Sequence, residues 1–436
     1  MRWVHEDAPG RSVRLAYCMN VHAAEDLSSI ERGMRAVTLP LRDRLADGRP
    51  FGIGMYLAGE LAQHLARPGG AADLDQLDAF LRAESLDPFT FNAFPYGGFN
   101  AGPLKHDVYR PTWMEDERVA FTSAVAHCAA ALARATDEIP LSARHISIST
   151  HAGAFGTWIK GAGDLTGCAA NMARAVEHFA RIEADGGPQL VLSVEAEPRS
   201  SANDSAKLFA YLSFARAELA RILAGPDLDR TDAAHLAARH LGTCLDCCHS
   251  AVEYEDPERA LSLATAGGPL GKLQFSSALH LEAPAANPAA QAQLLAMDEE
   301  RYLHQVTARA TAEPDAQLLA CDDLPDLAAA LDSPSAPDWT TSPSWRCHFH
   351  VPVDREQIGA GLTTTRAHAD HLLDLCLASP TDWTTDELHV EIETYTWDVL
   401  PAPARGPGDL IDGLEREYRH VITRLQSAGW KRPPVS

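Results

Sequence analysis

The sequence lacks any apolar run of about 18 residues, the length at which a membrane-spanning helix becomes a candidate. Its first 25 residues carry acids early and hold no long apolar stretch, so no secretory signal is expected. Positive charge is scarce: 37 Lys and Arg stand against 60 Asp and Glu, for a net charge of −23. Duplex nucleic acid and anionic membrane surfaces reward basic patches, so neither is expected as a partner. No GxxxxGK[ST] loop and no GxSxG elbow occur, and the glycines of PYGGF lack a strand–GxGxxG–helix setting. P-loop, serine-hydrolase and dinucleotide-binding readings therefore have no support. The nine cysteines are odd in number, and three crowd together at 244, 247 and 248. An oxidised framework avoids that arrangement and a reducing cytosol tolerates it. A cytoplasmic protein without direct membrane insertion is expected.

What is there is an alternation. Short β-type runs near 13–19, 51–57, 89–94, 145–150, 190–196, 241–246, 271–277 and 388–394 are separated by alanine-rich segments of helical period. Helices are predicted at 23–46, 73–84, 115–136, 164–184, 205–223, 257–265, 363–378 and 409–427. The stripe Ala173, Val176, Phe179 reads as core packing. Eight strands alternating with eight helices is the (β/α)8 TIM barrel count, an α/β fold with a parallel sheet. The 436 residues are read as one barrel domain, 1–436, with 406–436 as a C-terminal helix and tail. The loop PYGGFNAGPLKHDVYRPTW after the third strand is long enough to act as a lid over a barrel mouth, or to be a structural Ω-loop. A stretch at 281–345, between the seventh and eighth strands, is expected to be an insertion without its own core, containing a helix around 290–312.

Metal-ligand-type residues recur where the strands end: His22, His151, Glu195 and Glu197, Asp246 and His249, Gln274, His348 and His350, Glu391 and Glu393. A βα barrel builds its site from such strand ends at its C-terminal rim. Asp246-Cys-Cys-His249 can bring a carboxylate and an imidazole to one ion, a pair that suits zinc, manganese or iron better than calcium. The CxxCC run resembles half a zinc site, but no second CxxC exists, and Cys247 and Cys248 read more simply as buried fillers. In His348-Phe-His350 alternate residues of an extended segment face the same way, so both imidazoles can reach one ion, with Arg346 just before them.

Glu195/Glu197 and Glu391/Glu393 each put two carboxyls on one strand face. At least one of each pair should hold metal or a proton, since four inward carboxylates cannot stay unpaired. Glu195 and Glu393 are chosen as ligands and as an acid/base pair, with His249 as a catalytic contact to substrate. His22 and His151 are substrate contacts, ligands or satisfied structural histidines. Gln274, Arg346, Glu197 and Glu391 are assigned to substrate binding. Ser276 could orient a hydroxyl, and Lys160 or Lys272 could neutralise an anionic substrate. The expected cofactor is a divalent metal, with zinc, manganese or magnesium as candidates.

Together, Glu195, Asp246-Cys-Cys-His249, Gln274, His348-Phe-His350 and Glu393 resemble the xylose isomerase-like TIM barrel superfamily. That group contains sugar (phosphate) isomerases and epimerases and the endonuclease IV type of metal-dependent nuclease. Across residues 17 to 401, YCMNVHAAE, FPYGGF, DVYRPTW, CLDCCH, KLQFSSAL, HFHVP and ETYTWDVLP look like its EboE-type metabolite traffic branch. The resemblance implies metal binding by Glu195, Asp246, a ligand from the seventh strand and Glu393. It also implies a role in handling or export of secondary-metabolite precursors, beside other Ebo-type proteins and a membrane prenyltransferase-like partner. Gln274 stands where sugar isomerases place a histidine. His151 lies where the nuclease branch has one, so a cluster of two or more metals is open. Three functions follow as expectations: an isomerase or epimerase of a small polar metabolite, a phosphoester hydrolase, or a non-catalytic metabolite carrier.

Overall fold

Eight parallel strands close on themselves: β1 Ser12–Tyr17, β2 Phe51–Tyr56, β3 Leu86–Asn92, β4 His145–His151, β5 Gln189–Glu195, β6 Leu241–Asp246, β7 Leu270–Phe275 and β8 Glu387–Ile392. The structure is a computed structural model, described over residues 1–98, 102–134, 141, 144–226, 228–313 and 316–434. Each strand pairs with the next in sequence from β2 to β8, and β8 pairs with β1. A parallel bridge between Cys18 and Gly54 joins β1 to β2 and completes the ring. A short strand, Arg2–Val4, lies antiparallel on β1. The (β/α)8 expectation holds, and each strand falls within a few residues of its predicted place.

The helices follow the apolar stripes. Ala162–Ala184 buries Ala173, Val176 and Phe179 against the sheet. The expected helix over 23–46 is present and runs unbroken through Leu27–Gly33, Met34–Thr38 and Leu39–Leu45, its middle segment wound as a π-helix, and it starts at an Asp26 capping box. Gly59–Leu65, Arg230–His240 and Cys247–Val252 are helices that the sequence reading missed. The predicted helix over 115–136 is Asp116–Leu132, and its last two predicted positions lie outside the described residues. No helix among the described residues is long and apolar enough to cross a membrane.

Barrel interiors are usually filled by branched aliphatic side chains; this one is ionic. Lys272 donates to Glu391, and Arg14 binds Glu387 (3.3 Å) and Asp87. Ser147 bonds His389 Nδ1 (2.9 Å), on whose ring His145 is stacked at 3.8 Å. Such groups are tolerable inside only because they are mutually paired. The space they need comes from β2: a Cβ on Gly54 would fall 1.6 Å from Glu391 Oε1.

The insertion departs from expectation in extent and content. It forms a six-stranded antiparallel sheet, ordered Leu318–Cys321, Val306–Arg309, Ser344–Cys347, Leu279–Glu282, Leu362–Thr364, Gln357–Gly359. It therefore begins before 281 and runs past 345. It also has an apolar cluster of its own around Leu281, Leu294, Val306, Leu327 and Trp345. The helix expected over 290–312 is only Pro288–Leu295, and 306–309 is strand. Strands of three or four residues are too short for their period to register in a sequence.

Candidate metal centre

Each ligand-type side chain is placed by a short local device. β5 delivers Glu195, and the chain then turns through Ala196 and Glu197 before Arg199, a residue with φ of 66°. β6 ends at Asp246, whose Oδ1 accepts the backbone N–H of His249 (2.9 Å) and the Ser276 hydroxyl (2.8 Å). Asp246 is thus the N-cap of Cys247–Val252, and capping fixes the turn that carries the His249 ring inward. His348 and His350 follow the insertion strand Ser344–Cys347. Glu393 follows β8, where Asn20 (3.0 Å) and Gln274 both donate to its carboxylate.

Three imidazoles meet at one point. Nε2 of His249 lies 3.0 Å from Nε2 of His348 and 3.3 Å from Nε2 of His350, and the last two are 3.1 Å apart. Their other nitrogens are occupied. His249 Nδ1 faces the Ala196 carbonyl (3.1 Å), His350 Nδ1 the Glu393 carbonyl (3.0 Å), and His348 Nδ1 the Gln305 side-chain oxygen (2.6 Å). A carbonyl can only accept, so each Nδ1 carries a proton; Nε2 of His348 and of His350 then presents a lone pair, and Nε2 of His249 does so once its carboxylate-raised ring gives up its second proton. Three converging lone pairs repel unless a cation lies among them. An ion about 2.0–2.1 Å from each nitrogen, the zinc–imidazole distance, fits over this triangle. Outer-atom hydrogen bonds of this kind accompany metal-bound histidines generally.

Carboxylates crowd the same point. Oxygens of Glu195, Asp246 and Glu393 lie within 4.8 Å of one another, as do ligand atoms of Asp246, His249 and His350, and those of Glu197, His249 and His348. Glu195 Oε1 and Asp246 Oδ2 are buried and accept no hydrogen bond. Glu195 Oε1 is 3.1 Å from His249 Nδ1, but that N–H points at Ala196. Burial raises Glu195 despite His249. Burial and the charges of Glu195 and Asp246 push Glu197 up to about 8, and Glu393 is also driven well above the usual carboxyl range. His348 falls well below its ordinary value and His350 falls to about 4, both chiefly through burial. Burial opposes protonation of His249 too, but Asp246, Glu197 and Glu195 outweigh it and raise this ring. The residues fit a divalent cation: without one, this many buried acids hold protons.

Glu195, Glu197, His249, Gln274, His348, His350 and Glu393 line one cavity of ≈ 50 Å³, space for a few waters. Four residues assigned to substrate binding are elsewhere. His22 is tied to the Tyr17 hydroxyl (2.7 Å) and packed against Gly33. Glu391 sits inside the barrel on Lys272, which answers that internal charge and not a substrate. Arg346 donates to Ala251 O (2.6 Å) and lies over Tyr254, lining a different hollow. These three satisfy partners within the protein, which their strand-end positions could not reveal. His151 is paired in register with Glu195 but wrapped by Phe94 and Tyr109, and neither ring nitrogen has a partner.

Lys160 is at the surface, bonded to Thr157 O. Cys248 is buried as expected, yet its sulfur lies within 4.8 Å of nitrogens of His348 and His350. Asn20 and Gln305 were missed. Asn20 had a faint signal, as a polar residue three positions past the end of β1; Gln305, deep in the insertion, had none. A second group, His145, Glu387 and His389, gathers on the barrel floor. The guanidiniums of Arg14 and Arg144, 3.3 and 3.5 Å from Glu387, make that floor hostile to a cation.

No protein-family model and no curated protein matches the chain. Among solved structures, it is similar to an L-ribulose 3-epimerase at 12% identity and TM-score 0.44, covering 95% of each chain. It is similar to the IOLI protein with a bound zinc atom at 10% identity and TM-score 0.44, covering 95% of this chain and 99% of that one. A xylose isomerase domain protein from Planctomyces limnophilus is 11% identical, with TM-score 0.42 and coverage of 90% and 91%. The chain's own strand order and closure make it a barrel.

Proposed function

We propose that this protein is a divalent-metal-dependent isomerase or epimerase of a small metabolite bearing adjacent oxygens. The observation that carries the reading is the convergence of three Nε2 lone pairs, ringed by carboxyls, in a cavity at the strand ends. His249, His348 and His350 would hold the ion, with Asp246 and Glu393 as further donors. The bound cation supplies charge stabilisation to a substrate carbonyl oxygen as it gains electron density.

The protein's own residues supply the proton transfers. Glu195 Oε1, free of other partners, takes the proton from the carbon beside the carbonyl. Glu197, a carboxyl whose proton is held up to about 8 when no cation balances it, returns a proton to the same or the neighbouring carbon. Asn20 and Gln274 hold the Glu393 carboxylate still. In keeping with the metabolite traffic branch that the sequence resembles, the setting would be cytoplasmic, beside other Ebo-type proteins and a prenyltransferase-like membrane partner.

The test has two arms: metal content after zinc or manganese loading, and solvent-deuterium exchange into α-hydroxy carbonyl compounds. One ion per chain and exchange lost in Glu195→Gln are expected; exchange that survives Glu195→Gln, or a chain that takes up no metal, overturns the reading. A hydrolase is favoured only by Asp246, which belongs to both a carboxylate group and a histidine group and could join two ions. Two or three ions per chain with phosphoester cleavage would support it. A carrier would keep its pathway function with alanine at Asp246 and Glu393.

A further inference from the structure

Above its polar floor the cavity is walled by Phe94, Leu104, Val108, Tyr302, Leu303 and Tyr395. These come from three separate segments: the loop after β3, the insertion, and the turn after β8. Tyr302 packs edge-on against Tyr395 at 4.9 Å, and Tyr395 lies 4.7 Å from the His350 ring. The lysine and the glutamine beside this wall are committed within the protein. Lys105, the one lysine or arginine among the described residues that line the cavity, is bound to Asp323 (2.5 Å) and lies 3.6 Å from Asp298. Gln305 is engaged at both ends, by His348 and Pro198 O (3.2 Å), while Asn92 accepts Phe94 N–H (2.9 Å) through its oxygen alone.

We infer that the substrate carries an uncharged, largely apolar body on its metal-binding oxygens, and is neither a free sugar nor a phosphorylated one. The inference rests on the metal reading above and narrows it. A phosphate group entering this wall would find a lysine already neutralised, and a polyol would set the hydroxyls beyond its metal-binding end against Phe94, Leu104, Val108 and Leu303; either arrangement is unfavourable without hydrogen-bond partners. A flat apolar body instead removes wall and ligand surface from water together. Its entry requires the wall to part, since the cavity as it stands holds only a few waters. The wall segments are joined where the Leu104 and Lys105 N–H groups donate to Arg301 O (both 2.9 Å).

Cobalt-loaded protein provides the test, with visible absorption reporting ligands that reach the ion. The probes share one chelating head: acetohydroxamate, benzohydroxamate and phosphoglycolohydroxamate. Benzohydroxamate is expected to bind at least about tenfold more tightly than acetohydroxamate, and the phosphorylated probe no better than acetohydroxamate. In Phe94→Ser/Leu303→Ser the benzohydroxamate advantage should vanish while acetohydroxamate affinity stays, which also shows that the metal site is intact. Equal affinity for all three, or preference for the phosphorylated probe, overturns the inference and leaves the metal reading standing. Failure to take up cobalt overturns the metal reading itself.

Discussion

Two of the three clustered imidazoles give their Nδ1 protons to main-chain carbonyls, and His348 gives its own to the side chain of Gln305. Gln305 is therefore the point at which the tautomer can be changed by a single substitution. Gln305→Leu should weaken zinc binding about 10- to 100-fold, the usual cost of losing an outer hydrogen bond to a ligand. Gln305→Glu should retain tight binding, and competition with a chelating dye measures both.

Glu197 gives a pH dependence of definite sign. Its folded-state value, near 8 without a cation, lies above the ordinary 4.5, so between those limits the folded chain holds a proton that the unfolded chain has lost. Stability of the metal-free protein should thus fall as pH rises from about 4.5 to about 8. Glu197→Gln should remove much of that fall. Metal uptake by the wild type should strengthen as pH rises, because the protons on the raised ligands His249 and Glu393 must leave for the ion to bind. Denaturant titrations across pH, with and without zinc, check all three.

The helix Cys247–Val252 shows one carboxylate serving an element and a site together. Asp246 caps it through Oδ1, leaving Oδ2 without a partner. Asparagine caps as well as aspartate but is a poorer metal donor. Asp246→Asn should therefore stay within about 1 kcal/mol of wild-type stability when metal-free yet bind zinc more weakly; Asp246→Ala should lose on both counts. Calorimetric melts with and without zinc separate the two effects.

The barrel strands and the Asp246–His249 and His348–His350 pairs were legible in the sequence, because strand-long apolar runs end in polar residues at fixed places. The insertion was not, since three- and four-residue strands leave no period to read. Nor could sequence tell a strand-end glutamate at the rim from one paired inside, as with Glu393 and Glu391. The loop over 95–113 does line the cavity, through Leu104, Lys105 and Val108; its residues 99–101 lie outside the described residues.

For the molecule as a whole, the ionic barrel interior sets a condition on stability. Lys272 and Glu391 are fully buried and bonded to each other, and removing one partner of such a pair typically costs 3–5 kcal/mol. Lys272→Met should destabilise the fold by about that much, and Lys272→Met/Glu391→Gln should recover most of it. A chemical melt of each variant decides, and wild-type stability in either single variant would contradict the pairing.

The floor with its salt bridges, the rim with its acids and imidazoles, and the apolar wall above form one axis, along which charge is balanced internally except at the rim. That imbalance is where a cation belongs. X-ray absorption at the zinc edge of the loaded protein tests this most directly. One strongly bound ion with three imidazole nitrogens at about 2.0–2.1 Å is expected, reduced to two in His350→Ala. An ion sphere without histidine, or no stoichiometric ion at all, would contradict it.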